Sequence, residues 1–331
     1  MEILPGVHQF KVPLPEMPLD WVNIYLVRGP RGSLLIDTGW DAPGVFDNLC
    51  QQFAADNVKI EDIKQVVVTH VHVDHYGLVA RFKQLSGARV LVHPAEESLV
   101  EERYVNYDGL LEHMARWLAQ NGVPGEELPK LHKVSLAMRK YVLTTQADAA
   151  ANEGDILSTG SFNLRVLLTP GHSPGHICLY EPEKRLLFSG DHLLPDITTH
   201  VGVHPQNTPN PLGDYLASLK KLRDLQVDLI LPAHGRTFTG LQQRIDELFR
   251  HHEERKQDIL GLLDREKRTV YHVATHMTWM KDIGGMPYDR LSYMDKRLAI
   301  METLAHLEVL LQEGKVRRVE EDGLAKYSLA G

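Results

Sequence analysis

The chain opens with short apolar runs punctuated by Gly and Pro. Val22 to Val27, Ser33 to Ile36 and Val66 to Val68 have the composition of strands, and each closes on turn residues. Between the second and third, Val45, Phe46, Leu49 and Phe53 recur at helical spacing and predict an amphipathic helix. Further strands are predicted at Val90 to Val92, Phe162 to Leu168, Ile177 to Tyr180, Leu186 to Phe188 and Leu229 to Leu231. Strands interleaved with helices give an α/β fold class.

Two stretches depart from this pattern. Residues 95 to 150 carry helical spacing with a Pro/Gly break at Gly122-Val123-Pro124-Gly125, and read as a helical insertion or lid between two core strands. Tyr104, Tyr107, Met114, Trp117, Met138 and Tyr141 either pack this insertion together, as aromatics at helical spacing usually do, or face a cleft. After about residue 250 a charged stretch, Arg250 to Lys256, reads as an exposed helix face. Helices follow at Ile259 to Leu263, Val270 to Met277 and Tyr293 to Gln312, the last stopped by Gly314. Val316 to Val319, a turn at Asp322-Gly323 and Leu324 to Leu329 then form a hairpin. Three helices and a hairpin are the order of a winged helix, so 1–250 and 251–331 are expected to be separate domains.

Composition narrows the class. With 43% hydrophobic and 24% charged residues, the chain has ample material for a core. A formal charge of −8 argues against nucleic acid as the partner of the whole chain. The cysteines, Cys50 and Cys178, are too few for a disulfide framework and are expected to be buried free thiols. No basic leader with an apolar run opens the sequence, and no segment approaches the ~18 apolar residues of a membrane span. A cytoplasmic protein is therefore expected.

The strongest chemical signal is Thr69-His70-Val71-His72-Val73-Asp74-His75, directly after the strand ending at Val68. Residues two apart on an extended loop face the same way, so His70 and His72 can take one ion together. Asp74 and His75, on the turn beyond, can face a second. Imidazole nitrogen and carboxylate oxygen are donors that zinc and its divalent neighbours accept. Three single residues have matching contexts, each just past an apolar strand: His172 in Pro170-Gly171-His172-Ser173-Pro174-Gly175-His176, Asp191 after Ser189-Gly190, and His234 after Pro232-Ala233. Loops at one sheet edge build sites, and that shared placement joins the three to the first cluster.

The ordered set His-x-His-x-Asp-His, then His, Asp and His, resembles the metallo-β-lactamase superfamily over residues 1 to about 250. The resemblance implies an αββα sandwich with two divalent ions, zinc first, with iron or manganese as alternatives. Carried over by position, His70, His72 and His172 would bind one ion, Asp74, His75 and His234 the second, and Asp191 both. A hydroxide shared between the ions, oriented by Asp74, would then be the nucleophile. Leu35-Ile36-Asp37-Thr38-Gly39 matches an early family motif, in which Asp37 either orients a ligand imidazole or caps an Asx-type turn. His176 and His192 adjoin ligands, and they either pack behind them or donate to an oxyanion; His93 reads as structural.

Departures from sister branches narrow the expectation. A true zinc β-lactamase would normally lack His75 as a ligand, Asp74 followed by His75 argues against the flavodiiron oxidoreductases, and a β-CASP nuclease domain does not fit between Asp191 and His234. What remains resembles the glyoxalase II-like hydrolases, some of which carry a winged-helix tail. A thioester or small acyl-ester hydrolase is the expected activity, with lactone hydrolysis and RNA cleavage as rivals. Residues 255–331 hold 13 Lys/Arg against 12 Asp/Glu, a balance unlike a DNA-reading face apart from Arg317 and Arg318 on the expected wing. Dimerisation or closure of one side of the cleft is the plainer role for this tail.

Overall fold

The computed structural model describes residues 1–14, 20–131, 139–263, 266–281 and 284–330. Its centre is a pair of sheets. Seven strands lie side by side in chain order: β1 (Glu2–Leu4), β2 (Val7–Pro13), β3 (Trp21–Val27), β4 (Ser33–Ile36), β5 (Ile63–Val67), β6 (Arg89–Val92) and β7 (Ala149–Ala150). The first four pair antiparallel and the last three join in parallel. The second sheet runs in the order β12 (Leu229–Pro232), β11 (Leu186–Gly190), β10 (Ile177–Glu181), β9 (Asn163–Leu168), β8 (Ile156–Ser158).

Alternation along the strands decides what each face meets. Ile177 and Leu179 of β10, with Leu164, Val166, Leu186 and Phe188, pack inward against Tyr25, Val27, Leu34, Ile36 and Val67 of the first sheet. Cys178 and Tyr180 point outward, onto Leu212, Tyr215 and Leu219 of α6 (Pro211–Arg223) and Leu241, Ile245 and Leu248 of α7 (Leu241–Leu262). The outer face of the first sheet, through Phe10, Ile24, Leu35 and Val66, takes Leu49 and Phe53 of α1 (Val45–Ala55) and, beyond a short α2 (Val73–Tyr76), Val79 and Phe82 of α3 (Val79–Ser86). The expected αββα order is therefore present. Cys178 is buried, whereas Cys50 is only half-buried.

The insertion lies between β6 and β7, as α4 (Pro94–Val100), one π-helical turn (Glu101–Val105) and α5 (Tyr107–Gln120). Its aromatics are packing groups. Tyr104 and Tyr141 join the core on the α1/α3 side, Tyr141 against Trp40, while Met114, Trp117 and Leu118 pack against the C-terminal segment. Tyr107 is buried too; Met138 lies outside the described residues.

The C-terminal segment corrects two expectations. The helix predicted at Ile259–Leu263 is the last turn of α7, which runs unbroken through residue 250. The charged stretch within it is exposed on one side only: Arg250, Glu253 and Glu254 are exposed as expected, whereas His252, Arg255 and Lys256 are buried. Arg255 lies over the Trp279 ring at 4.3 Å and donates to Thr278 O at 2.8 Å, and Lys256 pairs with Glu313 at 2.6 Å. Long side chains thus bury their stems while their charges latch α7 to the segment that follows. That segment comprises β13 (Arg268–Thr269), α8 (Val270–His276), a two-strand ribbon β14 (Thr278–Trp279) and β15 (Met286–Pro287), α9 (Tyr293–Gln312), and the hairpin β16 (Val316–Glu321) and β17 (Leu324–Leu329), with β17 between β13 and β16. No helix among the described residues is long and apolar enough to cross a membrane.

At the seam, His252 Nδ1 lies 3.2 Å from His306 Nε2 of α9. Burial pushes His306 down to about 3 and His252 well below its usual value. Both therefore fold as neutral rings, whereas the unfolded chain takes up protons below about pH 6.5. The unfolded state binds more protons between those limits, so stability is full above pH 6.5 and falls on acidification. Chemical denaturation should show a loss of up to ~1.4 kcal/mol per pH unit for each such ring, with a shallower slope in His306→Gln.

Candidate metal centre

The predicted residues are carried on loops at one edge of the two sheets: the β5 loop, the turn after β9, and the ends of β11 and β12. His72 is the extended residue before α2, so the turn expected to carry Asp74 and His75 is helical. This helical turn places Asp74 and His75 beside His234, with the His75 ring 4.0 Å from that of His70. Two clusters result. His70, His72 and His172 form the first, and Asp74, His75 and His234 the second, while Asp191 reaches His70 and His75.

The distances in the first cluster are selective. His70 Nε2, His72 Nδ1 and His172 Nε2 lie 2.9, 3.2 and 2.9 Å apart. Nitrogens bound to one zinc at about 2.0–2.1 Å would be separated by roughly 3.3 Å in a tetrahedron. In the second cluster, His234 Nε2 is 3.3 Å from Asp74 Oδ2, and His75 Nε2 is 3.6 Å from the same oxygen. Asp191 Oδ1 is 3.5 Å from both His75 Nε2 and His234 Nε2, and its Oδ2 is 3.6 Å from His172 Nε2. Its two oxygens therefore face different clusters.

Hydrogen bonds behind the rings assign their tautomers. His75 Nδ1–H donates to Asp37 Oδ2 (2.8 Å), His172 Nδ1–H to His200 O (2.7 Å) and His234 Nδ1–H to Trp21 O (3.2 Å). Thr69 Oγ1 donates to Asp37 Oδ2 and accepts from His70 Nδ1–H. Four rings are thus left with an Nε2 lone pair aimed inward, the form that binds a cation. Asp37, itself in the left-handed region at φ 59°, also accepts the Thr69 N–H at 2.7 Å. Of the two readings of Asp37, the geometry is that of a carboxylate that holds His75 directly and His70 through Thr69.

Electrostatics divide the rings between the two clusters. Burial, then the neighbouring rings, pushes His70 and His72 well below their usual value, so both are neutral. His75 behaves oppositely. Burial pushes it down, but the Asp74, Asp191 and Asp37 carboxylates together lift it to about 10. Asp74 is opposed by burial yet held well below the usual carboxylate range by His75 and His234. A proton on His75 Nε2 would have no good acceptor, since that nitrogen and Asp191 Oδ1 are both buried without a hydrogen-bond partner among the described residues. Lone pairs and carboxylates at these spacings fit divalent cations.

His176 is committed to hydrogen bonds behind the ligands, while both ring nitrogens of His192 are buried without a partner among the described residues. His176 Nε2 accepts from the Asp191 N–H (3.1 Å) and its Nδ1–H donates to Thr169 Oγ1 (2.9 Å), leaving no N–H for a substrate. Gly190, at φ 51°, permits that approach, because a Cβ there would come within 2.6 Å of His176 Nε2. The His192 ring lies edge-on to Tyr215, 4.8 Å between centroids. His93 caps α4, accepting from the Ala95 N–H.

Sequence reasoning missed Glu96. Fully buried, it accepts the Val71 N–H through Oε2 and the Gly175 N–H through Oε1, both at 2.8 Å. One carboxylate therefore clasps the loop of His70 and His72 to the loop of His172. In sequence it is one of two adjacent glutamates in the first turn of a helix, where acids are common for reasons of helix dipole, so nothing marked it out. Glu96→Gln would turn an amide donor toward one of these N–H groups. It should cost about 1–3 kcal/mol and weaken metal binding at the His70/His72/His172 cluster about 10–100-fold, read by thermal unfolding and metal titration.

Comparison with known proteins agrees with this geometry. The family model described as the metallo-beta-lactamase superfamily matches residues 19–234. The probable metallo-hydrolase YqjP of Bacillus subtilis is 29% identical over 92% of this chain and 91% of its own length. The human acyl-coenzyme A thioesterase MBLAC2 is 30% identical over 65% of this chain and 74% of its own. The crystal structure of the metallo-beta-lactamase family protein TTHA1429 from Thermus thermophilus superposes with a TM-score of 0.85 at 31% identity, covering 99% of this chain and 100% of that one. Two histidine- and aspartate-lined clusters between paired sheets, and relatives similar over nearly the whole length, make this chain a hydrolase of the metallo-beta-lactamase superfamily.

Proposed function

We propose that the chain hydrolyses a thioester or small acyl ester at a dinuclear centre, with His70, His72 and His172 on one divalent ion, Asp74, His75 and His234 on the other, and Asp191 shared. The observation that carries this reading is Asp191, whose two oxygens address different clusters. Such a donor set accepts zinc first, with iron or manganese as alternatives. Divalent ions held there supply Lewis acidity toward a carbonyl oxygen and bring the pKa of a water close to neutrality. The chain's own residues fix the rest. Asp37, His200 O and Trp21 O keep the imidazole lone pairs inward. Asp74, held ionised and slightly exposed, is a weak base; it orients an attacking water through a hydrogen bond rather than removing its proton. The name of the human relative, an acyl-coenzyme A thioesterase, favours the thioester within this class.

For the tail we propose a winged-helix arrangement used for packing. The order β13, α8, α9, then the β16–β17 hairpin beside β13, supports the first part. Against groove reading, α9 buries Ala299, Ile300, Leu304, Leu307 and Leu310, Arg317 donates to Ser328 Oγ, and Arg318 pairs with Glu320. A cytoplasmic setting accords with two free cysteines.

Asp191→Ala should lower bound metal from about two ions per chain to about one and bring turnover of acyl thioesters to background. Metal analysis beside a screen of acyl thioesters and lactones reads both, and full activity in that variant would refute the shared-carboxylate centre. A preference for lactones over thioesters would move the substrate and leave the centre in place.

A further inference from the structure

The three-stranded sheet of the C-terminal segment ends on an unpaired edge. Its order is β13, β17, β16, so β17 is covered on both sides and β16 on one. The hairpin turns on Asp322 and Gly323, both in the left-handed region at φ 54° and 76°, the geometry of a type I′ turn. Glu321 and Leu324 flank that turn, and at the far end the Ala330 N–H donates to Lys315 O at 2.9 Å. Hydrogen-bonded and non-hydrogen-bonded pairs alternate along an antiparallel ladder. The odd-numbered residues of β16 therefore spend their backbone groups on β17, and the N–H and C=O of Val316, Arg318 and Glu320 face outward. Among the described residues no hydrogen bond takes these groups up. Arg317, Arg318 and Glu320 are exposed beside them.

An open edge is a template for another strand, and charge on it usually blocks pairing. Here the order of the charges does the opposite. Val316-Arg317-Arg318-Val319-Glu320-Glu321 sets two cations and two anions about Val319. Two copies of one edge strand related by a twofold axis run antiparallel, each residue meeting a fixed counterpart. Outward-facing groups stand opposite one another only when the axis passes through a residue rather than between two. With the axis at Val319, Arg318 faces Glu320 of the second copy and Arg317 faces its Glu321, and each contact occurs twice. An axis at Arg317, Arg318, Glu320 or Glu321 instead sets a charge against its own copy, which is unfavourable. Charge and hydrogen-bond phase thus select the same register.

We propose that β16 is an interface between two copies of this chain, the edges pairing antiparallel about Val319 so that the two sheets become one of six strands. Arg318 and Glu320 of opposite copies form the hydrogen-bonded pairs, each exchanging two backbone bonds. The side chains choose the register more than they add strength, because they are already partly engaged. Arg318 pairs with Glu320 of its own strand at 3.1 Å, Arg317 donates to Ser328 Oγ at 3.0 Å, and Glu321 is met by Lys267 and Lys326. A contact made by one short strand falls below a standard interface in size, so the dimer is weak and follows concentration. The proposal goes beyond the hydrolase reading and does not depend on it.

Sedimentation velocity on the full chain, over roughly 1 µM to 1 mM, should show a monomer passing into a dimer. Arg318→Glu sets like charges opposite one another twice and should weaken the dimer at least about tenfold. The double exchange Arg318→Glu with Glu320→Arg rebuilds both contacts in this register and should restore the dimer. Cross-linking reads the axis directly. In a Cys50→Ser background, oxidised Val319→Cys should form a covalent dimer, because a non-hydrogen-bonded antiparallel pair brings its Cα atoms to about 4.5 Å. Glu320→Cys, displaced along the strand from its own copy, should cross-link at least about tenfold more slowly. A chain that stays monomeric throughout, a dimer indifferent to Arg318→Glu, or a double exchange that fails to restore it would overturn the proposal. So would equal cross-linking at the two positions.

Discussion

Three imidazole nitrogens within about 3 Å of one another, on rings largely withdrawn into the fold, tolerate very few arrangements. Each ring must be neutral, each must turn a lone pair inward, and the protons must be placed behind. Much of the surrounding structure answers that constraint. Asp37 accepts from His75 and, through Thr69, governs His70; a backbone carbonyl does the same for His172 and another for His234. Because Asp37 is at the end of β4 and His234 at the end of β12, the constraint joins both sheets of the sandwich. Glu96 does for the loop backbones what Asp37 does for the rings, accepting from Val71 and Gly175 and so setting how far apart two ligand-bearing loops can stand.

The site residues were legible because chemistry was concentrated. Four donors within six positions follow a strand, and His172, Asp191 and His234 repeat the motif of a polar residue just beyond an apolar run. The strands were legible for the same reason, each apolar and sharply ended. What escaped were residues whose role depends on reach across the fold. Glu96 is 25 positions from Val71 and 79 from Gly175, and no local pattern encodes such a partnership. Strands β1, β7, β8, β13, β14 and β15 escaped as well, being only two or three residues long, and β2 escaped because polar residues interrupt its apolar run.

The helical insertion and the C-terminal segment are better understood together than as lid and appendage. Leu118, Val123 and Leu131 of the first share one apolar cluster with Val273, Ile300 and Tyr327 of the second, while Tyr104 and Tyr141 tie the insertion to the main core. Aromatics that could have faced an open cleft are committed to this packing.

Helix α7 has a consequence of its own. Its first half lies on the outer face of the second sheet, and its second half runs on into the C-terminal cluster, where Ile259 is buried. A rod shared in this way does not allow its two ends to be exchanged as cassettes. A recombination joint near residue 250 would break this helix and part Ala305 and Val309 of α9 from Leu212, Tyr215 and Leu219, with which they share one buried cluster. Descent with this tail is therefore expected to be vertical, the two parts changing in step rather than being traded between unrelated genes.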